Sequence, residues 1–288
     1  MMKVLGLSGG ADSVFLFHFL LEQKNNFRCI YVNHKMNIHD EDAERFCREL
    51  CASHGIQLKV IDVNKPLKNE TQARQVRYEA FKEDVQQDEL ILGHHVDDVV
   101  ETMLMNLCKG SSLNGMSGIA TSGEVYGIRF HRPLIELKYD RNAIQASLTE
   151  RCLKWYEDDT NQDNTIPRNH IRNVVIPALQ TLFPDCVDKI VDFGENCKVA
   201  NKIVNTYMGD NLNSLLSTQQ EINGTDIQRF WFFNWMKNYN IMASKRHYNE
   251  FVAFVGNQQY KEMSLPDGMY IAKAINSNNV LCLYVWRR

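Results

Sequence analysis

The stretch Val4-Leu5-Gly6-Leu7-Ser8-Gly9-Gly10-Ala11-Asp12-Ser13-Val14-Phe15-Leu16-Phe17-His18-Phe19-Leu20-Leu21 decides the fold. A short apolar run ends in a small, glycine-containing turn and gives way to an apolar run longer than two helical turns. That order predicts strand, tight loop and buried helix. Two consecutive glycines let backbone N–H groups approach a ligand with no Cβ in the way. The helix start adds unpaired donors and the positive end of its dipole, so the turn is a seat for an anion such as phosphate. The same residues also fit a plain glycine turn with Asp12 capping the helix. The GxxxxGK[ST] ending of the common nucleotide-hydrolysing loop is absent.

At 288 residues the chain is long for one core, which predicts two domains, one of them small. Thirty-two basic against 35 acidic side chains give a net charge of −3, excluding a strongly basic protein while leaving room for local basic faces. No apolar stretch reaches about 18 residues without a charge, and the N-terminus runs straight into a strand. A protein of the cytoplasm, with no membrane partner, is therefore expected. The eight cysteines, at 29, 47, 51, 108, 152, 186, 197 and 282, form no Cys-x-x-Cys pair. Cys47 and Cys51 share a predicted helical face with Ala43 and Leu50, as core residues do, and neither zinc nor an iron–sulfur cluster is expected.

Strands are predicted at 29–33, 58–63, 89–92 and 125–130, alternating with helices at 40–54, 70–85, 96–108 and 141–153. This is the α/β pattern of a parallel sheet covered on both faces, with ligands outside the strand C-termini. Asn33-His34 ends the second strand, within reach of a nucleotide at the first; a polar turn is the alternative. Arg74 and Arg77 share one side of a helix, suited to phosphate, to a carboxylate, or to plain solvent exposure. In His94-His95-Val96-Asp97-Asp98-Val99-Val100-Glu101, Asp98 and Glu101 are three apart, and Asp97 and Glu101 four, on a first helical turn. Stacked carboxylates call for a cation: Mg²⁺, an ammonium group, or solvent with the helix dipole. The segment 109–119, rich in glycine and serine, reads as a substrate-contacting loop or lid.

From about Pro184 the pattern becomes helical, through 185–216. Thr225-Asp226-Ile227-Gln228 has capping-box spacing before Arg229-Phe230-Trp231-Phe232-Phe233-Asn234-Trp235-Met236, whose aromatics read as core more than as a base-stacking platform. A turn at 265–268 and a hairpin of 269–275 with 280–286 close the chain. The expected organisation is a catalytic domain at 1–184, a helical linker at 185–218 and a small α+β domain at 219–288.

Taken together, SGGADS, VNHKM, ETQARQVRY, GHHVDDVVET, KGSSLNGMSGI, HRPLI, EDDTN and RNHIR resemble, in order and interval, the motifs of the tRNA(Ile)-lysidine synthetases. These belong to the pyrophosphate-loop ATP enzymes of adenine-nucleotide α-hydrolase-like fold. The resemblance covers residues 4 to about 180, and RNHIR after EDDTN separates this family from relatives that share mainly the first loop. It implies that ATP adenylates C2 of the wobble cytidine in a tRNA(Ile) with a CAU anticodon, and that the ε-amine of free lysine then displaces AMP. By motif, Ser8, Gly9, Gly10, Ala11, Asp12 and Ser13, with Asn33 and His34, would bind ATP, and Asp12 would help place Mg²⁺. Arg74, Asp98 and Glu101 would bind lysine, and Arg168 with Arg172 would stabilise charge during adenylation. The small C-terminal domain would contact tRNA. The resemblance also allows a homodimer.

This chain departs from the family in having Lys109 where arginine is usual and Pro167 where an aromatic is common. It also has a short C-terminal region. Two other functions share these first motifs: tRNA thiolation, which the missing cysteine pairs disfavour, and a non-catalytic RNA-binding relative, which the intact polar set disfavours.

Overall fold

The computed structural model describes residues 2–33, 39–63, 70–157, 159–217, 232–233, 236, 241, 243–256, 261–275 and 281–287. Residue contacts divide the chain into two compact units, Met1–Lys198 and Val199–Arg288.

In the first unit β1 (Lys3–Gly6) leads through the 8–13 loop into α1 (Ala11–Glu22), and β2 (Phe27–Asn33) is followed by α2 (His39–Ser53). Next come β3 (Leu58–Asp62), α3 (Glu70–Val85), β4 (Glu89–Ile91) and α4 (Val96–Cys108). The sheet order is β3-β2-β1-β4-β6-β5, where β5 is Ser122–Val125 and β6 is Ile128–His131. All neighbouring pairs are parallel except β5 with β6. The chain builds outward from β1 to β3 and then restarts on the other side of β1 with β4. The crevice between β1 and β4 is therefore a topological switch point, where open α/β sheets place their ligands.

Alternation along the strands sets the two cores. Leu5, Cys29, Tyr31 and Ile91 face a cluster with Val14, Phe15, Leu16 and Phe17 of α1 and with Cys47 and Cys51 of α2. Val4, Ile30, Leu90 and Leu92 face the opposite cluster, with Tyr78, Phe81 and Val85 of α3. The period of two sends neighbours to opposite faces, so both sides of the sheet are apolar and need covering. Helix α1 is buried almost all round, including Ser13 and His18, as its unbroken apolar run predicts.

Three local features differ from the sequence expectation. The single strand expected at 125–130 is a hairpin, β5 turning into β6 through Tyr126 and Gly127, both at positive φ (53° and 79°). Paired left-handed residues match the twist of the flanking strands, and β5 becomes an antiparallel edge on an otherwise parallel sheet. The loop at 109–119 holds a one-turn helix, α5 (Leu113–Met116), and Asn106 of α4 donates to the Gly115 carbonyl at 2.8 Å. After α6 (Pro133–Glu136), α7 (Arg141–Glu150) stops three residues short of the expected 153. There Arg151 and Cys152 turn the chain, Cys152 at φ 54°.

Beyond α7, α8 (Pro167–His170) continues through a π turn at Ile171–Val175 into α9 (Ile176–Leu182). Pro177 explains the turn. It has no N–H for the carbonyl of Asn173, and its ring would clash there in a regular helix, so the backbone takes up an extra residue just before it. Helix α10 (Cys186–Ser217) crosses the boundary between the units in sequence.

In the second unit, α11 (Lys245–Gly256) accompanies an antiparallel sheet of β7 (Glu262–Ser264), β8 (Met269–Ile275) and β9 (Leu281–Arg287). Phe232 and Met236 are fully buried with Phe251, Phe254 and Ile271. Phe232 is thus core, as its apolar setting predicts. The expected capping box at 225–228, Phe230, Trp231, Trp235 and the turn at 276–279 lie outside the described residues.

Candidate active site

At the β1–β4 crevice lies a cavity of about 570 Å³. Ser8, Gly10, Ala11, Asp12 and Ser13 line it from the loop, His94 and Asp98 from the end of β4 and the start of α4, and Arg168 and Arg172 from the α8 region. Arg77, Arg141, Trp155, Tyr156 and Glu157 add further charged and aromatic groups to its wall. Residues distant in the chain thus meet at the glycine turn.

The loop is held by its own hydroxyls and by remote backbone. Ser13 Oγ donates to the Gly10 carbonyl at 3.0 Å, accepts from the Ser8 N–H at 3.2 Å and lies 3.1 Å from Ser8 Oγ. Gly9 sits at φ 86°, and a Cβ there would come within 3.3 Å of Cys47 Sγ. Its carbonyl accepts from the Tyr156 N–H at 2.9 Å. Gly93 lets the end of β4 press against the start of α1, since a Cβ on it would stand 3.2 Å from the carbonyl carbon of Asp12. These contacts leave the amides at the start of a 12-residue helix beside the cavity, the arrangement that binds phosphate.

Behind the loop sits a charge cluster that the sequence reading missed. His95 is fully buried, with Nδ1 3.1 Å from Asp97 Oδ2 and Nε2 3.6 Å from Asp12 Oδ2 and 3.7 Å from Asp98 Oδ2. Alignment with these oxygens is poor, so the contacts are ion pairs more than hydrogen bonds. Burial alone would lower the basicity of His95, but Asp12, Asp97 and Asp98 outweigh it and push its pKa up to about 10. Asp97 also accepts from the Arg141 N–H at 2.8 Å, tying the starts of α4 and α7 together. Adjacency to His94 concealed this role, because Asp12, one of the partners, lies far off in sequence.

The Asp98–Glu101 pair has its cation within the chain. Arg172 Nε reaches Glu101 Oε1 at 2.5 Å, and its Nη2 reaches Glu101 Oε2 at 3.0 Å and Asp98 Oδ1 at 3.4 Å. This is the fork geometry in which guanidinium grips a carboxylate. Glu101 is fully buried and is not among the cavity-lining residues, whereas Asp98 is. Asp98 accepts from the His95 N–H at 3.0 Å. Burial opposes its ionisation, but the charge of His95, that of a protonated His94, this amide and the charge of Arg172 hold its carboxyl below the usual range. For Glu101 burial wins: its pKa is raised despite Arg172.

The other expected residues divide. The Asn33 side chain donates to Glu44 Oε2 at 2.7 Å and lines a separate hollow with Arg45, Arg48 and Asp62, although Tyr31 and Val32 of the same strand line the main cavity. Arg74 lies on α3, and its side chain is outside the described residues, as is all of His34. Among the described residues, no group of three or more His, Cys, Asp and Glu is arranged to hold a metal ion. The space among Asp12, Asp97 and Asp98 is taken by the His95 ring. No helix of the described residues is long and apolar enough to cross a membrane.

Residues 2–179 match the PP-loop domain family. Among curated proteins, the tRNA(Ile)-lysidine synthase of Haemophilus ducreyi is 28% identical over 242 residues, covering 83% of this chain and 56% of that protein. The enzyme of the same name from Yersinia pestis is 32% identical over 222 residues, covering 74% and 48%. The chain spans about half the length of the curated relatives it matches. A solved structure, the U34-tRNA thiolase NcsA from Methanococcus maripaludis with its 4Fe–4S cluster, aligns with a TM-score of 0.58 at 20% identity. It covers 68% of this chain and 71% of that one, a likeness of fold.

Proposed function

The chain belongs to the PP-loop domain family, and from that premise we propose that it is an ATP-dependent ligase that joins free lysine to C2 of the wobble cytidine of a CAU-anticodon tRNA(Ile). The observation that carries this reading is the convergence of the 8–13 loop, Asp98, Arg168 and Arg172 on one cavity. Curated relatives with the lysidine synthase name, at about 30% identity, support the same substrate.

The chemistry follows from leaving groups. The cytosine C2 oxygen attacks the α-phosphorus of ATP, the bond to pyrophosphate breaks, and C2 acquires AMP as a leaving group far better than a carbonyl oxygen. The deprotonated ε-amine of lysine then attacks C2 and AMP departs. In the proposal the loop amides hold the departing pyrophosphate, and Arg168 meets negative charge on the transferring phosphoryl group. Asp98 faces the lysine ammonium. Glu101 acts through Arg172, which it fixes beside Asp98, and Arg74 is the partner of the lysine carboxylate. Asp12, a hard oxygen donor beside the phosphate seat, suits Mg²⁺, which binds through one or two carboxylates with phosphate oxygens and water completing its shell. When bound, the ion would neutralise the pyrophosphate. A strand-end pocket requires the wobble base to leave its stack. With tRNA and ATP as substrates, the cytoplasm is the proposed compartment.

The test is digestion and mass spectrometry of a CAU-anticodon tRNA(Ile) transcript after incubation with the protein, lysine, ATP and Mg²⁺. A lysine-linked cytidine with AMP release is expected; unmodified cytidine from folded, ATP-binding protein would refute the proposal. Thiolation is not favoured by the names of the curated relatives.

A further inference from the structure

Arg132 is buried and held from several sides. Its Nη1 donates to the Ala120 carbonyl, its guanidinium carbon lies 4.2 Å above the Phe130 ring centroid, and its backbone N–H donates to the Thr121 carbonyl at 2.7 Å. Its Nε donates to Nδ1 of His94 at 3.2 Å. A guanidinium has only donors and keeps its protons, so Nδ1 of His94 is the accepting nitrogen. The proton of a neutral ring is then on Nε2.

We propose that Arg132 fixes His94 as a neutral imidazole protonated on Nε2, so that His94 serves the cavity as a hydrogen-bond donor to a phosphoryl oxygen of the bound nucleotide and not as a base. Two observations place such a donor near phosphate. His94 lines the same cavity as the 8–13 loop, and Gly93 before it abuts the Asp12–Ser13 peptide. The surrounding charge also disfavours a second proton. Protonation of Nδ1 would set one donor against another and a cation against the buried Arg132. Arg77, Arg141, Arg168 and Arg172 line the cavity against Asp12, Asp98 and Glu157, and the charged His95 ring is adjacent in sequence. Among the described residues Asp98 attracts charge onto His94, and it is shared with Arg172 and with the His95 amide. The lysine amine must then lose its proton to some acceptor other than His94. That last consequence rests on the lysidine reading; the tautomer and the phosphoryl contact do not.

Nitrogen-15 NMR of labelled histidine, with His94 assigned by loss of its signals in His94→Gln, tests the tautomer in the wild-type protein. The expected ring is neutral and protonated at Nε2 between about pH 6 and pH 8, the range in which an unrestrained histidine titrates. Titration in that range, or a proton on Nδ1, overturns the proposal. Calorimetry with ATP tests the donor. His94→Gln keeps an amide N–H in reach of the Nε2 position, so its affinity should stay within a few-fold, while His94→Ala should weaken binding by about tenfold or more, as expected for a hydrogen bond to a charged group. Equal loss in both, or no loss in either, overturns it. Neither readout needs lysidine to form, so the failure of this proposal and that of the ligase reading are separable.

Discussion

Arg172 of the π turn bridges to Asp98 and Glu101 of α4, across two separate elements of the first unit. Its fork onto Glu101 makes it the hydrogen-bonding cation of a fully buried carboxylate, with Arg168 adding charge from farther off. Arg172→Ala should therefore lower stability by about 3–5 kcal/mol, the usual consequence of stranding one member of a buried ion pair. Replacing both, as Arg172→Ala with Glu101→Leu, should restore much of that loss, and urea unfolding of the two variants measures it. The carboxylates and Arg172 were each legible as candidate site residues. The sequence could not show that they satisfy each other, because the contact joins α4 to a turn some seventy positions later, at |i−j| of 71. His95 was illegible for the same reason.

Among the elements, the sequence pattern revealed the strands and helices whose apolar period is long, such as α1, β2 and α4. It concealed those defined by backbone conformation. The hairpin of β5 and β6 turns at Tyr126-Gly127 without the Asn-Gly or Asp-Gly pair that usually announces such a turn. The π turn at Ile171–Val175 is visible in the sequence only as Pro177, which by itself reads as a boundary. That turn carries Arg172. Pro177→Ala removes the cause of the extra residue, and the segment from Pro167 to Leu182 should then relax toward a regular helix, rotating Arg168 and Arg172 relative to one another. The expected outcome is an unchanged or higher melting temperature with at least a tenfold loss in lysidine formation, read by thermal unfolding and by the tRNA assay.

For the molecule as a whole, two buried histidines with opposite shifts shape the dependence of stability on pH. His18, 5.3 Å from the His54 ring between centroids, is lowered to about 4 by burial and then by His54. Its folded form resists protonation, so its contribution is present above the unfolded value of about 6.5 and is lost as pH falls toward 4. His95 is raised to about 10, so its contribution is complete below about 6.5 and is lost as pH rises through 10. Stability of the ligand-free protein should peak near pH 6.5 and fall on both sides. His18→Gln should flatten the acid limb and His95→Gln the alkaline limb, as measured by denaturant midpoints across the range. The doubly covered sheet and a ligand site outside its strand C-termini were legible from the alternation of strands and helices and from the first loop, whereas the strand order that puts the switch point between β1 and β4 was not. The dome was not, since it depends on which groups burial brings together.

The bond from the Tyr156 amide to the Gly9 carbonyl ties the phosphate seat to a segment carrying an indole. Trp155 and Tyr156 both line the cavity, so any adjustment of the turn as an anion settles on it is relayed along one peptide to a natural fluorophore. Tryptophan emission should therefore shift as ATP is titrated in without tRNA or lysine, and Trp155→Phe should remove the shift, as read by fluorimetry.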